Sequence, residues 1–215
     1  MADTTELTAA IAAERRELAD LLDGLPAESW DAPSLCAGWR VREVAAHMTT
    51  GFRYSLAKTA RELVRAGGRL HRMTDGCARR DAAAYPPRQL AAFLRDNAGH
   101  PWTPPVGGLP MALAHDVVHG LDVTVALGLD RRVPEDRLRV LLAGVDARTL
   151  RFFRTDLDGI ELRATDLDWS FGAGTPLRGT AQDLLLVAHG RELPPGHLTG
   201  SPLAARFTGP RTGLV

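Results

Sequence analysis

Pro110-Met-Ala-Leu-Ala-His115-Asp-Val-Val-His119-Gly-Leu-Asp122-Val-Thr-Val-Ala-Leu127 is the stretch on which the reading of this chain turns. It is almost continuously apolar and long enough for a helix, and Gly128 supplies a natural stop. His115 and His119 are four residues apart, so on a helix their side chains sit one above the other on one face. Two imidazoles at that spacing can share one metal ion, as the paired histidines of HExxH metalloproteases do. The glutamate base of those proteases is missing, because Asp116, Val117 and Val118 separate the pair. That chemistry is therefore disfavoured. Asp122 follows His119 by three residues on the same face, as an acceptor for an imidazole N–H or as a substrate contact.

Zinc takes four ligands, three of them from protein where one position stays open. Among the other histidines, His47 is the best third ligand. It lies within Val44-Ala-Ala-His47-Met48, among small and apolar neighbours. A polar ring in such a place needs a partner. Two plainer readings stand beside this one: a core histidine bonded to backbone, and a chance His-x3-His pair on a solvated face. Glu43, four residues before His47, has a weaker claim. His71, His100, His189 and His197 lie in or beside loops and are expected at the surface. Cys36 precedes Gly38-Trp39 in a loop. It reads as a buried inert thiol or as a group touching a bound ligand. GxGxxG, P-loop and GxSxG patterns are absent, which removes support for nucleotide binding and serine hydrolase chemistry.

Outward from these residues, the periodicity predicts a helix over 4–23, with Glu14, Arg15 and Arg16 facing away from the core and Asp3 and Glu6 forming a capping pair. A packed loop with Trp30 and Trp39 follows. Helices are predicted over 40–65, from Pro86-Pro87 to about 97, over 110–127 and over 134–153. Residues 66–84, rich in Gly and Arg, carry no assignment. Beyond residue 155 the pattern changes. Ile160, Leu162 and Ala164 alternate with polar residues as a strand does. Trp169-Ser-Phe171 reads as a strand and Gly172, Gly174 and Pro176 as a turn. Residues 181–189 read as a helix ended by Gly190, and 203–207 as a last strand. The division expected is a helical domain over 1–155 and a small α+β domain over 156–215.

Composition narrows the class. Lys+Arg and Asp+Glu both number 26, so the chain lacks the basic excess of a nucleic-acid binder. Hydrophobic residues are 45% and charged residues 24%, ordinary globular usage. There is one lysine, Lys58, beside many arginines, as in GC-rich bacterial coding. Met1-Ala-Asp-Thr-Thr-Glu6 has neither a basic nor an apolar leader region, and no apolar run spans a bilayer. Cys36 and Cys77 form no CxxC pair. A cytoplasmic protein with reduced thiols, without nucleic-acid or membrane partners, is expected.

The run Pro33-Ser-Leu-Cys-Ala-Gly-Trp-Arg-Val-Arg-Glu-Val-Ala-Ala-His47 resembles a signature of the mycothiol-dependent maleylpyruvate isomerase family, within the DinB/YfiT-like metalloprotein superfamily. His115-Asp-Val-Val-His119-Gly-Leu-Asp122 is similar to its second signature, with Leu121 where the family has an aromatic. Gly174 to Gly190-Arg191 is similar to its small C-terminal domain. The resemblance implies an α+β protein: a DinB-like four-helix bundle followed by the small domain. It implies a divalent metal on His47, His115 and His119, zinc first, with nickel, iron or manganese as alternatives. His115 stands where the isomerase has a glutamate, leaving the site one charge more positive. The resemblance further implies mycothiol as the thiol cosubstrate, in an actinobacterial source, with isomerisation or S-transfer to a small electrophile. Arg191 and Asp122 would be catalytic, and Trp39 and Asp122 would border the thiol. Arg191 has a plainer reading as a helix C-terminal cation. A non-catalytic metal-binding or regulatory bundle and a metal-dependent hydrolase remain the alternatives, and either monomer or homodimer is compatible.

Overall fold

The computed structural model describes residues 3–200 and 202–209. It is an α+β fold, helical up to Phe153 with a three-stranded sheet beginning at Ile160. Helix α1 (Thr4–Asp23) starts with the anticipated reciprocal cap. The Glu6 N–H donates to Asp3 at 2.8 Å and the Asp3 N–H donates to Glu6 at 2.9 Å. This satisfies two of the donors a helix start leaves open.

Several elements differ from expectation, each for a local reason. The helix expected over 40–65 is two, α2 (Val41–Arg53) and α3 (Leu56–Arg65). Tyr54 is extended, and the Ser55 hydroxyl accepts from the Lys58 N–H to start the second. The unassigned stretch is a helix, α4 (Leu70–Ala84). Two of its arginines are paired, Arg79 with Asp75 at 2.8 Å and Arg80 with Glu62 at 2.5 Å, while Cys77, Ala78 and Ala82 are buried. Helix α5 (Pro87–Asp96) follows, with proline in its first turn. Helix α6 (Gly108–Leu127) begins two residues earlier than predicted. The helix expected over 134–153 is α7 (Glu135–Ala143) and α8 (Ala147–Phe153), separated at Gly144. The Asp146 carboxylate caps α8 by accepting from the N–H groups of Arg148 and Thr149.

In the sheet, β1 (Ile160–Ala164) is central. It pairs antiparallel with β2 (Ser170–Gly172) and parallel with β3 (Thr175–Gly179). The sequence around Pro176 reads as a turn, yet it is a strand. Pro176 lies on an edge strand, where its missing N–H breaks no ladder bond. Only Ala173 and Gly174 carry the chain from one side of β1 to the other. Gly174, at φ 135°, passes so close to Gly159 that a Cβ would stand 2.2 Å from its carbonyl oxygen. Helix α9 (Ala181–Ala188) packs on the sheet and on α6. The last strand expected, over 203–207, is a 3-10 helix (Pro202–Phe207). The Leu193 N–H donates to the Phe207 carbonyl at 2.8 Å, tying its end to the segment after α9.

Helix α6 lies between two cores. One, with Leu18, Val44, Met48 and Leu90, is shared by α1, α2, α4 and α5. The other, with Leu113, Leu121, Leu142, Ile160, Leu177 and Leu185, joins α6 and α7 to the sheet and α9. A helix covered on both flanks has to be apolar nearly all round, which explains the opening sequence. Each fully buried leucine or isoleucine there contributes about 1.5–3 kcal/mol. Two expectations fail at this level. Glu14 and Arg15 do not face solvent; both are 0% exposed. His189 is buried rather than superficial, its Nδ1 donating to the Leu185 carbonyl at 2.8 Å. No helix among the described residues is long and apolar enough to cross a membrane.

Candidate metal centre

Three imidazoles converge between α2 and α6. His47 comes from α2 and His115 and His119 from consecutive turns of α6. One nitrogen from each lies within 4.8 Å of the other two. The His47 and His115 Nε2 atoms are 3.3 Å apart. The rings meet at centroid distances of 4.8–5.1 Å.

The far side of each α6 histidine is held by a carboxylate of the same helix. His115 Nδ1 is 2.9 Å from Asp116 Oδ1, and His119 Nδ1 is 2.9 Å from Asp122 Oδ2. An ionised carboxylate only accepts, so both Nδ1 atoms carry the proton. With its Nδ1 so engaged, His115 turns its Nε2 toward that of His47. Burial pushes His119 down to about 4. Burial, reinforced by the two neighbouring imidazoles, pushes His47 well below its usual value. Facing lone pairs repel one another unless a cation sits among them. Two nitrogens at ~2.0–2.1 Å from a tetrahedral zinc ion stand about 3.3–3.4 Å apart, which matches the His47–His115 separation. The donor set fits a divalent metal.

Each carboxylate is in turn held by an arginine from another element. Arg15 of α1 donates from Nε to Asp116 Oδ2 at 2.8 Å, both side chains being buried. Arg191, just beyond α9, grips Asp122 with Nε and Nη2, each at 2.8 Å. Burial would raise the Asp122 carboxyl, but the Arg191 charge and hydrogen bonds hold it far below the usual range. Asp122 is 0% exposed with both oxygens engaged. It accepts from His119 on one side and from Arg191 on the other. Arg191 likewise presents its bidentate edge to Asp122, and its Nη1 donates to the His189 carbonyl at 2.8 Å.

Cys36 completes this corner. Its thiol donates to Asp122 Oδ2 at 3.0 Å, lies 3.6 Å from His119 Nδ1 and accepts from Arg191 Nη2 at 3.4 Å. Burial, then the Asp122 charge, push this thiol up, so it stays protonated. The Leu35 N–H donates to the Asp122 carbonyl at 2.9 Å and pins the loop. Trp39 packs on His47 at 5.1 Å and donates from its indole to Asp75 at 2.8 Å. Trp102 packs edge-on against His115 at 5.2 Å. Glu43 is away from the cluster, its carboxylate held by Arg40 at 2.6 Å. A cleft of about 510 Å³ lies at the opposite end of α9, lined by Arg131, Asp166, Thr180, Asp183 and His197. None of the three histidines borders it.

The fold brings His47, His115, His119, Asp122, Trp39 and Arg191 close together; Asp122 accepts from His119, one of the two roles expected of it, and Arg191 pairs with Asp122. Arg15 and Asp116 were missed. Their one signal was a charged residue amid an apolar helical pattern, with the partner 101 positions away.

Residues 11–101 match the family model described as Mycothiol maleylpyruvate isomerase N-terminal domain. An uncharacterised protein of Mycobacterium tuberculosis, found in strains H37Rv and CDC 1551, is 28% identical over 90% of this chain and 88% of its own length. The crystal structure of the mycothiol-dependent maleylpyruvate isomerase superposes with a TM-score of 0.60 at 16% identity, covering 98% of this chain and 96% of that one. A histidine-to-alanine variant of that isomerase gives 0.61 at 15% identity with the same coverage. At such identities the two crystal structures speak for the fold.

Proposed function

We propose, from the match of residues 11–101 to the mycothiol maleylpyruvate isomerase N-terminal domain, that the chain is a member of that family and a metal-dependent enzyme that uses mycothiol to isomerise, or transfer sulfur to, a small electrophilic substrate. The observation that carries this reading is the convergence of His47, His115 and His119 with two Nδ1 atoms already engaged by carboxylates. These three residues would hold the metal, zinc by preference for a nitrogen set, with nickel, iron or manganese as alternatives. Once bound, a divalent ion acidifies a thiol that ligates it.

The residues of the chain do the rest by placement. Asp116 and Asp122 fix the tautomers and ring angles of His115 and His119. Trp39 and Trp102 flank the cluster, packed on His47 and His115. Arg191 keeps Asp122 ionised, so a C-terminal domain over 156–215 completes a site whose histidines belong to a domain over 1–155. Cys36 stays protonated, which leaves the nucleophile to the cosubstrate. In this reading the enzyme works in the cytoplasm, where low-molecular-weight thiols stay reduced.

The test is metal analysis of the purified protein together with calorimetric titration of mycothiol into metal-loaded and metal-free forms. Near-stoichiometric metal with metal-dependent thiol binding supports the reading. Metal without thiol binding moves the function to a hydrolase or a regulator, and no metal uptake overturns the triad.

A further inference from the structure

The α6 histidines are held in parallel, yet their supports differ. Behind His119 the chain ends at Arg191, which is partly exposed. Behind His115 it runs through Asp116 to Arg15, and both side chains are sealed from solvent. The same guanidinium also holds the segment that packs on this ring. Arg15 Nη1 donates to the His100 carbonyl at 2.7 Å. That residue leads into Trp102, whose N–H donates to His100 Nδ1 at 3.1 Å and whose indole packs against His115. Arg15 therefore anchors both the acceptor of the His115 N–H and the segment covering its ring. Arg15 Nη2 is buried and has no hydrogen-bond partner among the described residues. A buried cation with an unpaired donor costs stability, so packing alone is a poor account of it.

We propose that Arg15 is a positioning residue for metal binding, acting through Asp116 to hold His115 with its Nε2 aimed at the ion. This rests on the metal reading above. With Arg15 removed, Asp116 keeps only the imidazole as a partner. His115 then loses the fixed acceptor that sets its tautomer and angle, and Trp102 loses its anchor. Removal of such an outer partner weakens metal binding by about 10–100-fold.

The experiment is cobalt(II) titration into the metal-free full chain, followed by visible absorption, with far-UV circular dichroism recording the fold of each variant. Arg15→Met, Asp116→Asn and the double variant form a cycle with wild type. The expected result is about 10–100-fold weaker cobalt binding in Arg15→Met with a shifted cobalt spectrum. The double variant should be no weaker than the worse single one, because the two act as one chain. Arg15→Lys retains the buried cation and stands in should the methionine variant not fold; its affinity should fall between the two. Wild-type affinity and spectrum in whichever variant folds, or additive losses in the cycle, overturn the proposal. Failure of wild type to bind cobalt would instead overturn the metal site itself, so the two failures are distinct.

Discussion

Arg191 closes on Asp122 through two parallel contacts of 2.8 Å, Nε to Oδ1 and Nη2 to Oδ2. The two residues are 69 positions apart, and their pairing joins the segment after α9 to α6. Breaking a buried pair by removing one partner typically costs about 3–5 kcal/mol, because the other charge is left uncompensated. Asp122→Ala should therefore lower the stability of the metal-free protein by roughly that amount, measured by urea denaturation. An unchanged midpoint would show that Arg191 finds water or another acceptor.

His119 is the histidine engaged with Asp122 and in contact with both other rings. Its replacement leaves two imidazoles, too few for tight zinc binding. His119→Ala should purify without metal while keeping the wild-type far-UV spectrum. Full metal occupancy, by elemental analysis, would move the site elsewhere.

Gly51 lies one helical turn after His47, and the Trp102 indole rests directly on it. A Cβ at this position would stand 2.2 Å from the ring. Gly51→Ala must displace Trp102 from its place over His115. Overpacking of this kind costs about 1–3 kcal/mol. A red-shifted tryptophan emission should accompany the loss, and wild-type emission with wild-type stability would mean that the loop absorbs the methyl group.

His189 is held neutral by burial, which lowers it to about 4, and its ring packs on Phe153 at 4.7 Å. In the unfolded chain the same group titrates near ~6.5. The unfolded state thus binds the extra proton first as pH falls. Stability is full above about pH 6.5 and declines toward pH 4, by up to roughly 3 kcal/mol for this group. His119 shifts in the same direction, so part of the decline belongs to it. His189→Asn retains a donor for the Leu185 carbonyl, and metal-free chemical denaturation across that window should show a shallower acid limb. An identical limb would place the acid sensitivity elsewhere.

Local patterns carry what depends on neighbours along the chain. The α1 cap follows from Asp3 and Glu6, three residues apart, and the α6 histidine pair from a spacing of four. The strand at 160–164 follows from simple alternation. The two signature runs made the resemblance to the isomerase family legible, and with it the three histidines that converge, without any coordinates. What the chain alone hid was long-range pairing. An arginine-rich segment became α4 because Glu62 and Asp75 neutralise it, and a proline-bearing turn became β3 because it landed on a sheet edge. Glu14 and Arg15 look like solvent-facing charges until α6, α7 and the loop between them bring Asp116, Arg137 and Arg131 against them. Nothing along the chain shows that Asp122 and Arg191, 69 positions apart, pair with one another. Spacing on one helix is set by its pitch and can be read from sequence. Which buried charge meets which is set by the packing of separate elements, because only there does a low-dielectric interior compel each charge to find its partner.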